Sequence, residues 1–348
     1  MLYFHQAVCI SPLPTFGSVD LTRPGVPQGN KLLVKEPAYE GIPANLVRRT
    51  GKAVRMGVGV SMPILRATPV PVSGIIIGTA NGGTEDSFRF LQQIIDYKED
   101  TLAPGSFVQS TANAAAAQIS LLDKNKGYNL THVHRGLAFE FALLDAVLLS
   151  EENKEAYYLL AGIDETSGPN FMLDAMEGWH KKETLQAGGF YAPDSPGAIA
   201  GEGAAGFSVS GQGQNALARL AGVSTLHSND PVSVRRRMEE FLQGCLPADT
   251  AIDLFLSGEN GDCRLQKFYT ACETGLPAEV PIARFKHCCG EYPTASAFAV
   301  WLCCQLLSGM ALPEHMVKRG KPAPFQTILL YNNYKGLQHS FILLSVVR

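Results

Sequence analysis

The sequence predicts an α/β fold with buried sheets, and three observations lead there. Short apolar runs alternate with longer stretches of helical periodicity, as at 75–77 followed by 84–97. Glycine stands at the ends of several runs, at Gly74, Gly78 and Gly258. Hydrophobic residues make up 46% and charged residues 18% of the 348 residues, so the chain can bury a large core and disorder is excluded. Strands that are apolar without alternation are covered on both faces, and in such folds chemistry gathers at the strand ends. The length suits one large unit or two smaller domains.

The elements follow in order. A short first strand precedes a Pro/Gly-rich loop at 11–29. Residues 75–77 form a buried strand between glycines. Residues 84–97 read as a helix capped by Thr84, with Asp86 in its first turn and Phe88, Leu91 and Ile95 along one face. In the segment 129–150, a short run at 130–133 precedes a helix in which Leu137, Phe141, Leu144 and Leu148 recur at steps of four, three and four. Leu143 and Val147 broaden that stripe, so the helix is expected to be buried nearly all round. His134 then lies at the strand-to-helix turn. Unpaired N–H groups and a partial positive charge there stabilise an oxyanion and hold an imidazole neutral. By its position alone His134 is either a buried, hydrogen-bonded histidine or a catalytic one.

Strand-like runs return at 157–163, at 206–210 after the glycines Gly201, Gly203 and Gly206, and at 251–256. The most apolar window, 295–312, is interrupted by Ser296, Gln305, Ser308 and Gly309, and reads as a buried helix, not a membrane span. Residues 327–331 and 340–347 read as two strands joined by a turn. Residues 1–14 show no secretion signal.

The net charge of −3 leaves no basic excess for a phosphate backbone, which argues against nucleic acid as a partner. The eight cysteines contain no C-x-x-C pair and read as core or pocket thiols in a reducing cytoplasm. No histidine–carboxylate set has metal spacing, so neither metal nor cofactor is expected, and His287 reads as a helix-start histidine. Arg235, Arg236 and Arg237 read as a solvated helix face or as a dock for an acidic carrier protein. Glu202 reads as a loop-tying carboxylate.

Several segments, in order, resemble the β-ketoacyl synthases of the thiolase fold. These are STANAAAAQI at 110–119, the turn around His134, LAGIDETS at 160–167, GAIAGEGAAGFSV at 197–209 and KHCCGEYPTASA at 286–297. The element His134, Arg135, Gly136, Phe139, Glu140 is similar to the HRG-x-x-FE of short ketosynthase-like proteins. The resemblance implies two pseudo-duplicated halves, 1–205 and 206–348, in a layered αβαβα arrangement. Two central helices, 135–150 and 294–308, lie within it. It also implies acyl transfer between carrier-protein thioesters, by a cysteine at the elbow assisted by two histidines.

This chain departs from that pattern at each of the three positions. His134 stands at the elbow in place of cysteine. The segment FLSGENGD at 255–262 contains no histidine. Glu291 follows Gly290 where the second histidine is expected, although Lys286 is kept. The C-terminal pocket loop is represented by NNYKGLQHS at 332–340, with one glycine, Gly336. The positions equivalent to an active site are thus His134, Arg135, Lys286, Cys289, Glu291 and His339. The resemblance implies a non-catalytic subunit of the chain-length-factor type, in fatty-acid or polyene-type polyketide biosynthesis. Such a subunit pairs with an active ketosynthase and meets an acyl carrier protein. Two other readings stay open: an acyltransferase or thioesterase-like enzyme rebuilt around His134, Glu291 and Cys289, and a homodimeric acyl-binding protein.

Overall fold

A computed structural model describes residues 1–97, 104–185, 189–191, 194–246, 251–321 and 324–347. Ten strands and eight helices carry the architecture. In the first half these are β1 (Leu2–Ile10), α1 (Lys52–Ala67), β2 (Gly74–Gly78), α2 (Thr84–Asp96), α3 (Ala114–Asp123) and β3 (Tyr128–His132), then α4 (Ala138–Glu152), β4 (Tyr158–Asp164), α5 (Gly168–Met176) and β5 (Gly203–Ser210). The second half contains β6 (Ala218–His227), α6 (Pro231–Cys245), β7 (Leu254–Ser257), α7 (Gln266–Thr274), β8 (Ile282–Arg284), α8 (Ala295–Leu307), β9 (Thr327–Tyr334) and β10 (Gln338–Ser345).

The two halves repeat one topology. Strand order is β3-β2-β4-β5-β1 in the first and β8-β7-β9-β10-β6 in the second, with the short strand Val317–Arg319 added outside β8. In each half the second strand runs parallel to both neighbours, and the remaining pairings are antiparallel. Three residue pairs between β1 and β6, from Leu2↔Leu220 to Phe4↔Ala218, join the halves into one hydrogen-bonded sheet. Strand β5 spans the 205/206 division expected from sequence and pairs with β1 and β4. The sheet therefore passes from one half to the other between Ser210 and Ala218.

The layers follow from strand periodicity. On β4, Leu160 faces the central core while Leu159 and Ala161 face the outer layer of α1 and α3. On β9, Ile328 and Leu330 face the centre while Leu329 and Tyr331 face the outer layer of α6 and α7. Helices α4 and α8 fill the centre. Helix α8 touches β1, β4 and β5 on one side and β9 on the other, and every residue but Gln305 and Leu307 is buried. This is the expected thiolase-like, five-layer α/β arrangement with two central helices. No helix among the described residues is long and apolar enough to cross a membrane.

Two local expectations are corrected. Gly83, at φ +77°, caps α2, and Thr84 is its first helical residue without a side-chain cap bond. Only the left-handed backbone at Gly83 makes that entry, which a Thr cap could not supply. Helix α4 is not buried all round. Its inner face is Ala138, Phe139, Ala142, Leu143 and Ala146, while Leu148 is 62% exposed and Phe141 and Leu144 are half-buried. Small residues let α4 sit close to the sheet, so the leucine-rich stripe turns outward.

Candidate functional site

The elbow forms where β3 ends and the chain turns into α4. His134 precedes a 3-10 turn at Arg135–Leu137, and Arg135 holds φ +48°, the left-handed region that a branched side chain rarely enters. Both side chains are exposed. His134 Nδ1 lies 3.3 Å from Gln338 Nε2, and its ring centroid 4.6 Å from that of Phe141. The elbow N–H groups are already used: Gly136 donates to Gln338 Oε1 at 3.0 Å, and Leu137 donates to the His134 carbonyl at 3.1 Å. An oxyanion arriving here finds neither of these donors free.

The tip of the β9–β10 hairpin covers this turn. Lys335 and Gly336 take φ +53° and +69°, and Leu337 N–H donates to Tyr334 O at 3.2 Å, a hairpin turn that a side chain tolerates poorly at Gly336. Tyr334 packs flat on the elbow. A Cβ at Gly136 would come within 2.2 Å of the Tyr334 Cβ, so only glycine fits.

Tyr334 also forms one wall of a cleft of about 580 Å³, part of it open to solvent. Glu291 lies in the cleft with Asn260, Glu165, Asp174 and Lys335. Its backbone is pinned, donating to Ile199 O at 2.8 Å and accepting from Gly201 N at 2.9 Å. The approach requires two glycines, since a Cβ on Gly290 would meet Gly201 Cα at 2.5 Å. Both carboxylate oxygens have donors: Lys286 Nζ, fully buried, at 2.6 Å and Asn260 Nδ2 at 2.7 Å. An anion so placed opposes a developing enolate instead of stabilising it.

Other acids shape the cleft. Asp164 accepts from Thr79 Oγ1, Ala80 N and Asn81 N at 2.8–3.0 Å and so sets the loop that brings Asn81 to the wall. Burial raises its pKa to about 6. Burial, and then the neighbouring Asp86 and Glu202, push Glu165 up to about 7. Asp174 pairs with Lys335 at 2.5 Å. Glu202 ties loops as expected, accepting from Val34 N at 2.7 Å, Thr166 N at 3.1 Å and Lys52 Nζ.

Of the six sequence-derived positions, Lys286 and Glu291 come together. His134 and Arg135 precede Gly136, against which Tyr334 packs, and do not line the cleft. Cys289 lies between Lys286 and Glu291 in sequence but is buried outside the cleft: its Sγ lies 3.4 Å from Gly290 O and burial pushes the thiol well up. His339 sits on the other face of the sheet. On β10, Ser340 reaches the central layer and donates to Glu140 Oε1 at 2.7 Å, whereas His339 points to the outer core. There it meets Tyr331 Oη and Ser228 O, each at 2.9 Å, and burial lowers its pKa to about 4. Sequence reasoning missed Asn260, Asp174, Tyr334 and Lys335 as cleft residues. Asn260 and Tyr334 lay inside segments already singled out, in FLSGENGD and NNYKGLQHS. Arg235, Arg236 and Arg237 each face a glutamate of their own helix, Glu239 or Glu240, at 2.7–3.9 Å, as a solvated helix face would.

Residues 25–174 match the family model described as beta-ketoacyl synthase, N-terminal domain. No curated protein matches the chain. Among solved structures, a beta-ketoacyl synthase from Burkholderia phymatum STM815 is similar at 16% identity and TM-score 0.79, covering 100% of this chain and 99% of that one. The ishigamide ketosynthase/chain length factor is similar at 14% identity and TM-score 0.78, covering 99% and 98%. A type II polyketide synthase acyl-carrier protein in complex with its ketosynthase bound to the hexaketide (AntDE:AntF) is similar at 12% identity and TM-score 0.74, covering 100% and 99%. The chain is similar to ketosynthases in sequence over residues 25–174 and in fold over its full length.

Proposed function

We propose that this ketosynthase-like chain is a non-catalytic, chain-length-factor-like subunit. Its partner is an active ketosynthase, and the pair works on acyl groups held by a carrier protein in fatty-acid or polyene-type polyketide assembly. The setting proposed is cytoplasmic. The observation that carries the reading is the closed Lys286–Glu291–Asn260 arrangement, where the resemblance calls for a histidine donor. The elbow adds to it, since His134 replaces the nucleophile and Gly136 N–H is committed to Gln338.

Support for a partner comes from the surface beside the elbow. Among the described residues β3 is one of the two edges of the sheet, with Tyr128 and Leu130 exposed. Val133, which follows β3, and Leu148 of α4, which packs beside it, are also exposed. An unpaired edge among apolar side chains is a surface that a second subunit covers. The similar structures include a ketosynthase/chain length factor and a ketosynthase in complex with its acyl-carrier protein.

The rebuilt-enzyme reading needs His134, Glu291 and Cys289 to cooperate, and among the described residues no hydrogen bond joins any two of them. The acyl-holding reading needs a continuous apolar tunnel, whereas the cleft sets Glu165, Asp174, Asn260 and Glu291 among Phe171, Trp179, Leu265 and Tyr292. Intact-mass spectrometry tests the proposal. The chain is incubated with acyl-loaded carrier protein, alone and then with a candidate ketosynthase. Acyl mass on the partner only, with both chains in one complex, is the expected result. Acyl mass on this chain overturns it.

A further inference from the structure

Outside the cleft, three metal-ligating side chains converge where the first half's loop crosses the second half. His287 and Cys288 lie in the helical turn Lys286–Cys289, and His315 lies in the turn Glu314–Met316. One donor atom from each lies within 4.8 Å of the other two. We propose that His287, Cys288 and His315 form a binding site for a thiophilic divalent metal ion of the zinc type. This inference stands apart from the proposed function.

The donor set is two imidazoles and one thiol, which suits zinc and not magnesium or calcium. The surroundings orient both rings. His315 Nε2 lies 2.7 Å from the Leu21 carbonyl, which can only accept, so that nitrogen carries the hydrogen and Nδ1 presents a lone pair inward. His287 Nε2 faces that lone pair at 2.8 Å, and its Nδ1 lies 2.9 Å from Tyr191 Oη. Without metal, Tyr191 donates to Nδ1 and Nε2–H donates to His315. With metal, the His287 hydrogen moves to Nδ1 and is accepted by Tyr191 Oη. The Cys288 thiol loses one proton to solvent, and three protein bonds form to the ion. Tetrahedral zinc with bonds of about 2.0–2.1 Å needs the two nitrogens about 3.3 Å apart, so the ring pair opens by roughly half an ångström. His315 is half-exposed and gives the ion a way in, while His287 and Cys288 are buried. A water or an incoming group takes the fourth position.

Bound there, the ion would clamp three separate pieces. Gly25 N–H already donates to His287 O at 3.0 Å, so the loop at 21–25, the turn carrying Lys286 and the turn at 314–316 meet at this point. The spacing hides the site from sequence, because His315 lies 27 residues beyond Cys288 and comes from another element.

The test uses the full chain after chelation, titrated with Co²⁺ and then Zn²⁺. One equivalent of Co²⁺ is expected to give tetrahedral visible bands and a near-ultraviolet thiolate charge-transfer band, both abolished by Zn²⁺. His315→Gln and Cys288→Ser are expected to weaken binding at least tenfold, with Cys245→Ser unchanged. Zn²⁺ is expected to raise the unfolding temperature of the native chain but not of His315→Gln. Absence of the charge-transfer band in the native chain overturns the proposal, whether or not the variants fold. Equal affinity in His315→Gln also overturns it, as adventitious binding only.

Discussion

Removing the Glu291 carboxylate isolates a buried charge, and the size of the effect can be worked out. Lys286 Nζ is fully buried and lies 2.6 Å from Glu291 Oε1. At that distance, with an effective dielectric constant of about 20, the gross attraction is about 6 kcal/mol. The Asn260 bond adds about 1 kcal/mol. Desolvation of both groups offsets most of this, so the pair itself contributes little net stability. Breaking it is different, because Glu291→Ala leaves an ammonium in the core at a cost of about 3–5 kcal/mol. The lower end, about 3 kcal/mol, sets the smallest effect expected. With a urea dependence of about 3 kcal/mol/M for a chain of this size, the unfolding midpoint falls by about 1 M. The double variant Lys286→Met/Glu291→Ala removes the charge as well, and is expected to recover most of the loss. Urea unfolding followed by circular dichroism reads all three. A midpoint shift below about 0.3 M for Glu291→Ala, or a double variant no better than the single, refutes the reasoning.

Three further outcomes are expected. The folded pKa of Glu165, about 7, lies above its ordinary value, so the stability it contributes is full below about pH 4 and is lost as pH rises through 7. The loss is on the order of 3 kcal/mol, and Glu165→Gln should flatten the fall in urea midpoint between about pH 4.5 and 7, the window set by that shift. A wild-type slope in that variant would exclude Glu165 as its source. Cys9, Cys272, Cys288, Cys289, Cys303 and Cys304 are buried, and burial raises the Cys9 thiol to about 12. A thiol reagent should therefore modify at most Cys245 and Cys263 before denaturation, as counted by mass, and rapid labelling of any buried thiol would contradict the packing. Introducing a thiol with His134→Cys puts it at the exposed elbow beside a helix start, so alkylation should be faster there than at any native cysteine. Peptide mapping that finds position 134 unmodified would show that the elbow is covered.

The layered fold was legible because buried strands announce themselves. The run at 75–77 between two glycines and the largely apolar stretch at 295–307 read as a buried strand and a buried helix, and both are found, as β2 and α8. What the pattern could not tell was which apolar face turns inward. On α4 the bulky stripe through Phe141, Leu144 and Leu148 looked like the core face, yet the close approach to the sheet selects Ala138, Ala142 and Ala146. A surface meant for a partner is as apolar as a core, and period alone does not separate them. The cleft was half legible. Lys286 and Glu291 lie five residues apart across one glycine, so their meeting was readable. His339 was placed with them although it alternates with Ser340, and strand parity sends it to the outer layer. Asn260 and Tyr334 arrive from other strands' ends, which only the topology brings to Glu291.

The seam between the halves has a consequence for how the chain comes to be made. Strand β1 lies between β5 and β6, with Ile10 opposite Ala204 and Leu2 opposite Leu220. Its hydrogen-bonding neighbours are therefore synthesised some two hundred residues after it. At about 5–20 residues per second, LYFHQAVCI waits roughly 10–40 s on the ribosome with both edges open. Four of its nine residues end buried, so the segment carries apolar surface open to a wrong partner in the interval. Contacts of such sequence separation also close late and slowly. The strand that joins the two halves thus stays unpaired until residues of both halves have been made, and that open interval, not the cleft, is where a chaperone would act on it.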